Sequence, residues 1–268
     1  MCSDSQPPNG LPRLLHYHLG PEATAFSTTR HGGCSEGPYG QLNVNAYCGD
    51  EPGHIERNRE LLRQALGLST SDRLIIPHQV HRTKIRLIDE DFLRQPVETR
   101  QTELEGFDAL MTNVRGICIG VSTADCIPIL LYSPERHCAA AIHAGWRGTV
   151  ARIAQKAVEQ LTETFRCAPG QLKAVIGPGI SRRNFEVGQE VYDAFLAEGF
   201  DMERISIKQA KWHIDLPLCN RLQLESMGIE ARNIHDCGIC TYDHADEFFS
   251  ARRLGINSGR IYTGIVLT

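Results

Sequence analysis

No apolar run in the 268-residue chain approaches the roughly 20 residues that a helix needs to cross a bilayer, so no membrane span is expected. The opening MCSDSQPPNGLPRLL has no basic stretch followed by a sustained apolar one, and a signal peptide is not expected either. Excess charge is equally scarce. Lys and Arg number 28 against 32 Asp and Glu, a formal net charge of −4, which leaves no footprint for nucleic acid or for an acidic membrane face. Repeats and dividing linkers are missing too. One domain over residues 12–268 is therefore expected, behind a disordered or frayed, Pro/Gly-rich lead-in at 1–11.

What is present is an ordinary globular composition, 41% hydrophobic and 22% charged, long enough for a sizeable core. The 10 cysteines are scattered, and Cys118 and Cys138 lie inside apolar runs. That suits buried thiols in a reducing cytoplasm better than a secreted disulfide scaffold. Period-2 and apolar runs predict strands at 25–30, 73–77, 84–88, 172–176, 233–236 and 261–267. Helical spacing predicts 52–66, 150–165, 187–196 and 216–227, with Ile153, Ala154, Ala157, Val158 and Leu161 sharing one face. The polar stretch 96–106 reads as a surface excursion. Together these elements predict a mixed α+β fold.

The segment 108–149 organises the rest. ICIGVS, IPILLY and CAAAIH read as buried strands, and between the first two lies the small, polar Thr123-Ala124-Asp125-Cys126. The third ends in His143-Ala144-Gly145-Trp146-Arg147-Gly148. Cys126 and His143 are thus delivered where regular structure stops, the usual setting for reactive groups. Taken singly, each is more often a buried core residue than a functional one. Their company argues otherwise: Asp125 and Arg147 are costly to place idly, glycines permit close approach, and His78 and His81 wait upstream in a connection.

QVH at 79–81, STADC at 122–126 and HAGWRG at 143–148 resemble the YfiH/YlmD family, first called multicopper polyphenol oxidoreductases or laccase-domain proteins. TTRHGG at 28–33, IGPGIS at 176–181, FEVG at 185–188 and FFSARR at 248–253 extend the match from about Phe26 to the C-terminus. The resemblance implies a single-domain, layered α/β/β/α sandwich with mixed sheets. It implies zinc on His81, Cys126 and His143, an N,N,S set that leaves a fourth position open as catalytic zinc sites do. His78 has no counterpart in the motif. The same Cys126 and His143 could instead be nucleophile and base, with Asp125 or another acid orienting the imidazole and no metal needed.

The family's activities imply phosphorolysis of adenosine, inosine, guanosine and methylthioadenosine with phosphate as co-substrate, and deamination of adenosine. The expected partners are therefore a small nucleoside and phosphate, for a monomer or weak homo-oligomer. Arg30, Arg147 and Arg252 are candidates for phosphate because guanidinium forks match it; Asn43 is a candidate for ribose hydroxyls, and Phe248 or Trp146 for stacking on the base. Bacterial members imply an alternative, a peptidoglycan-editing amidase using the same zinc or Cys-His site. A laccase mechanism is the weakest reading. Among 11 histidines, His16-Tyr17-His18 is the single His-x-His pair and His-Cys-His does not occur, so only one adventitious Cu²⁺ at the N,N,S site is plausible. The CxxC of Cys237 and Cys240 lacks a redox setting and a second pair.

Overall fold

The computed structural model describes residues 3–4, 11–70 and 73–268. The lead-in expected at 1–11 lies outside the described residues, save for Ser3–Asp4 and Leu11. Two six-stranded sheets dominate. The first runs in the order Ser3–Asp4, Leu14–Tyr17, Ala23–Thr28, Ile261–Leu267, Cys118–Thr123, Leu74–Ile75. The second runs Ile234–Asp236, Lys173–Ile176, Ile127–Ser133, Cys138–Ala144, Ala109–Thr112, Ile85–Leu87. Both are mixed: Leu74–Ile75 lies parallel to Cys118–Thr123 and Ile234–Asp236 parallel to Lys173–Ile176, among antiparallel neighbours.

Alternation along each strand sorts side chains to two faces, and each face finds a cover. Leu130, Tyr132, Ala139 and Ala141 of the second sheet meet Ile119, Val121 and Ile265 of the first, forming the core between the sheets. Ile127, Ile129, Leu131 and Ile142 point the other way, onto the apolar stripe of helix Ile153–Phe165 and onto Leu216 and Leu224 of helix Leu216–Ser226. Outside the first sheet, Leu14, Phe26, Tyr262 and Val266 pack on Leu62 of helix Pro52–Ala65. Each such side chain fully buried stabilises the fold by about 1.5–3 kcal/mol relative to exposure. The layering is the expected α/β/β/α sandwich.

Three local departures have physical causes. The helix expected at 150–165 starts at Ile153, behind a separate short helix Trp146–Val150, with Arg152 between them at φ +63°. The stretch 96–106 is largely exposed, as expected, but it contains helix Val97–Glu103, which turns Arg100 inward. The helix expected from residue 187 starts at Gln189, because Glu186–Val187 pairs with Trp212–Ile214 in a small three-stranded sheet completed by Ser206–Lys208.

For the site, the key feature is a crossover. One strand of the first sheet ends at Thr123 and one of the second begins at Ile127, so the chain passes between sheets through Ala124, Asp125 and Cys126. Asp125 makes the bend at φ +83°, a left-handed conformation that Asp tolerates better than most residues.

Candidate metal centre and its pocket

Three segments converge at the crossover. His81 lies in the connection before strand Ile85–Leu87, Cys126 in the crossover, and His143 near the end of strand Cys138–Ala144. Their donor atoms all lie within 4.8 Å of one another, and they grade from exposed His81 through half-buried Cys126 to buried His143. The two imidazole rings meet edge to face, centroids 4.7 Å apart. Gly145 keeps the space clear: a Cβ there would sit 3.0 Å from His81 Cδ2 and 3.1 Å from Cys126 Sγ. One thiolate and two imidazoles around a gap that admits no side chain fit Zn²⁺, with a position left open for water or substrate.

Asp108 holds this cluster together. It is fully buried, and its Oδ1 accepts hydrogen bonds from His143 Nδ1 and from the His81 backbone N–H, both at 2.8 Å. Its Oδ2 accepts from the backbone N–H groups of Arg82 at 2.7 Å and Val80 at 3.3 Å. One carboxylate thus orients one ligand's ring and folds the loop of the other, in which His81 sits at φ +61°. With Nδ1 engaged, His143 has Nε2 left for an ion, the carboxylate–histidine pairing common at metal sites. Gln79 braces the same loop from the opposite side, donating to the Ser122 carbonyl at 2.8 Å and accepting from the Ser122 N–H at 2.7 Å.

The electrostatics agree. Burial pushes the Cys126 thiol up, but the His143 and His81 imidazoles outweigh it and bring the thiol down to about 6. Burial pulls His143 down, while Cys126 and Asp108 raise it to about 9. Burial also pushes Asp108 up, yet its bonds to His143 and the loop N–H groups leave it below the usual carboxylate range. These shifts favour a thiolate–imidazolium pair: the sulfur already carries the charge a metal needs, while an ion must displace the proton that the imidazolium holds.

Around the donors lies a 190 Å³ pocket lined by Asn45, Tyr47, His78, Ser122, Ile256 and Arg260, among others. His78 turns from the cluster to Glu105, 2.5 Å away, and stacks on Tyr47. Several expected residues lie elsewhere. Arg30 donates to the carbonyls of Gly40 and Ala245 and lies over the Phe249 ring. Asn43 is fully buried, its amide engaged by Asp50 and Asn45 and its carbonyl by the Arg260 N–H, which leaves no face for ribose. Arg147 lies over Trp146 at 4.3 Å, and Arg252 reaches the Glu186 carbonyl. Phe248 is buried between the sheets, and Trp146 packs against the helix-side core. Asp125 points away from the histidines: its carboxylate takes the Thr241 and Ser250 hydroxyls and the Arg252 N–H, each at 2.7 Å. Cys240 is a free thiol that accepts from Ser181 N–H and Asn184 Nδ2, as befits a structural role. Asp108, Tyr47 and Arg260 escaped the sequence reading; only Asp108, an acid at the edge of a buried strand, carried a signal.

Comparison with known proteins places this geometry in context. Residues 24–268 match the family model described as multi-copper polyphenol oxidoreductase laccase. A purine nucleoside phosphorylase of Bacteroides thetaiotaomicron is 47% identical over 245 residues, covering 90% of each chain. The adenosine deaminase RL5 of an unknown prokaryotic organism is 41% identical over 248 residues, covering 90% of this chain and 92% of its own. The crystal structure of YlmD from Geobacillus stearothermophilus superposes with a TM-score of 0.89 at 28% identity, covering 98% of both chains. Among the described residues, His81, Cys126 and His143 are the one group of three or more His, Cys, Asp or Glu placed to hold an ion, so the several coppers of the family description have no counterpart there. Sequence, fold and donor set together place this chain in the multi-copper polyphenol oxidoreductase laccase family, alongside YfiH and YlmD.

Proposed function

We propose that this chain is a purine nucleoside enzyme, one catalytic domain over 12–268, that phosphorolyses adenosine, inosine, guanosine and methylthioadenosine and deaminates adenosine. The observation that carries the reading is the Asp108-anchored His81–Cys126–His143 set, in a chain 47% identical to a named purine nucleoside phosphorylase and 41% identical to a named adenosine deaminase. Zn²⁺ is the ion the donors fit, and when bound it would supply a Lewis acid at the open position. Cu²⁺ competes for the same donors.

The protein's own groups do the positioning. Asp108 fixes the His143 ring, Gln79 and Asp108 fix the His81 loop, and Gly145 leaves the reacting side unobstructed. Tyr47, 44% exposed, offers a ring face on which a purine can stack, and Asn45 and Arg260 offer polar groups at the mouth. A peptidoglycan amidase, or a metal-free Cys126–His143 nucleophile, would use the same cluster; the relatives' names favour nucleoside chemistry.

The test is to incubate metal-quantified protein with adenosine, with and without phosphate, and separate the products. Adenine and ribose 1-phosphate are expected only with phosphate, and inosine without it. Cys126→Ala is expected to lose zinc and turnover together. Adenosine left intact by zinc-replete protein would sink the reading.

A further inference from the structure

Phosphorolysis needs an oxyanion beside the nucleoside, and none of the arginines expected for that task lines the metal pocket. A different guanidinium faces a larger cavity next to it. Arg59, on helix Pro52–Ala65, lies on the wall of a 650 Å³ cavity with Ile55, Ile75, Ile76 and Phe92. Its Nε donates to the Val44 carbonyl at 2.9 Å, which fixes the planar fork under the 45–48 loop that bounds the metal pocket. Its Nη atoms make no hydrogen bond or ion pair among the described residues. Burial pulls this guanidinium below its ordinary value, against the opposing pull of Tyr47 and Tyr262, yet arginine stays charged. A partly dehydrated cation without a carboxylate is costly, and an anion in the cavity removes that cost.

The acids nearby do not fill the role. Asp50 is committed: its Oδ2 accepts from Ser35 Oγ at 2.6 Å and Asn43 Nδ2 at 2.9 Å, and its Oδ1 accepts from the Glu51 N–H at 2.8 Å. Glu56 lines the same cavity one turn before Arg59 without pairing with it. Arg100 adds a second guanidinium to the walls. The partition is Tyr47, the residue that lines both this cavity and the metal pocket. Its ring stacks on His78 with centroids 4.0 Å apart and planes 14° from parallel.

We infer that Arg59 binds an oxyanion, inorganic phosphate, in the 650 Å³ cavity, with Tyr47 as a movable wall between it and a nucleoside in the metal pocket. The role of that phosphate, though not its binding, rests on the phosphorylase reading. In that reaction a phosphate oxygen bonds to C1′ as the C1′–N9 bond breaks. The electron pair leaves with the purine, which takes up a proton, and the products are the base and ribose 1-phosphate. Contact between the two reactants requires the Tyr47 ring to rotate off His78.

The test titrates inorganic phosphate calorimetrically into the metal-loaded wild type, Arg59→Met, Arg59→Lys and Glu56→Gln, with circular dichroism to verify folding. Arg59→Met is expected to weaken phosphate about 10- to 100-fold, Arg59→Lys less, because lysine keeps the charge without the fork. Glu56→Gln is expected to tighten it, since it removes the uncommitted negative charge. In phosphorolysis assays the KM for phosphate should rise with the dissociation constant while that for adenosine moves far less. Absence of phosphate binding in the wild type, or equal binding in a folded Arg59→Met, overturns the site. Phosphate bound through Arg59 without any nucleoside turnover leaves the site standing and removes the phosphorylase reading.

Discussion

Asp108 and Asp125 each gather hydrogen-bond donors from distant parts of the chain, and only Asp108 reaches the metal donors. Asp108 accepts from His143 Nδ1 and from the backbone of the 80–82 loop. Asp125, next to Cys126 in sequence, accepts instead from Thr241, Ser250 and Arg252, and so clasps the 241–252 segment onto the crossover. The left-handed bend at Asp125 lets its carboxylate face the 241–252 segment while Cys126 faces the histidines, so adjacency to a ligand in sequence does not bring a side chain to it. The acid that serves the ligand is the one brought by pairing: Ala109, which follows Asp108, pairs with Ile142, which precedes His143.

That contrast can be broken most directly at Asp108. Asp108→Asn is expected to lower metal affinity about 10- to 100-fold, as loss of a ligand's hydrogen-bonded partner does. Asp108→Ala should also unfold much of the protein, since each buried donor left unpaired costs about 1–3 kcal/mol. Equilibrium dialysis against zinc and thermal melts measure both; an unchanged affinity in Asp108→Asn would contradict its anchoring role. Asp125→Ala comes next, with an expected loss of about 2–4 kcal/mol in urea unfolding but retention of stoichiometric zinc. If it loses metal as Asp108→Asn does, the division between the two acids fails.

Gly145→Ala sharpens the comparison from inside the cluster. Its Cβ would press on His81 and Cys126, and overpacking of this kind is expected to cost about 1–3 kcal/mol of zinc-binding free energy with little change in fold. Chelator-treated protein tests the charge state. Cys126 is depressed from 9.0 to about 6, so its contribution is complete above the unfolded value and is lost as pH falls through about 6. His143 is raised from 6.5 to about 9, so its contribution is complete below the unfolded value and is lost as pH rises through about 9. The metal-free melting temperature should therefore peak between these limits, as a property of the pair, and Cys126→Ala should flatten the profile. The smallest effect is expected at Arg252→Ala, within about 0.5 kcal/mol, because Asp125 binds that residue's N–H and not its exposed guanidinium.

The donors were readable because His81, Cys126 and His143 sit in short motifs at the ends of apolar runs, where local pattern and chemistry coincide. Residue type points to Arg30, Asn43 and Arg252, but type does not say whether a polar group is already satisfied: the structure gives all three backbone or side-chain partners. Asp108, Tyr47 and Arg59 depend on which strands pair and how a helix covers a sheet, which period and propensity do not encode. The layering came from the family resemblance; periodicity marks only the long elements, such as helix Ile153–Phe165, and fails in Glu186–Val187, where two residues carry no period.

The crossover at residues 124–126 has a mechanical meaning. Cys126 hangs on the link between the sheets, Gln79 ties the His81 loop to the first sheet, and Asp108 ties it to the second, where His143 resides. The three donors thus act as a strain gauge strung across the sandwich. A core change that shifts the spacing of the sheets, even one as remote as Ile119 or Leu130, is therefore expected to move these donors relative to one another and to change the affinity of any ion they hold.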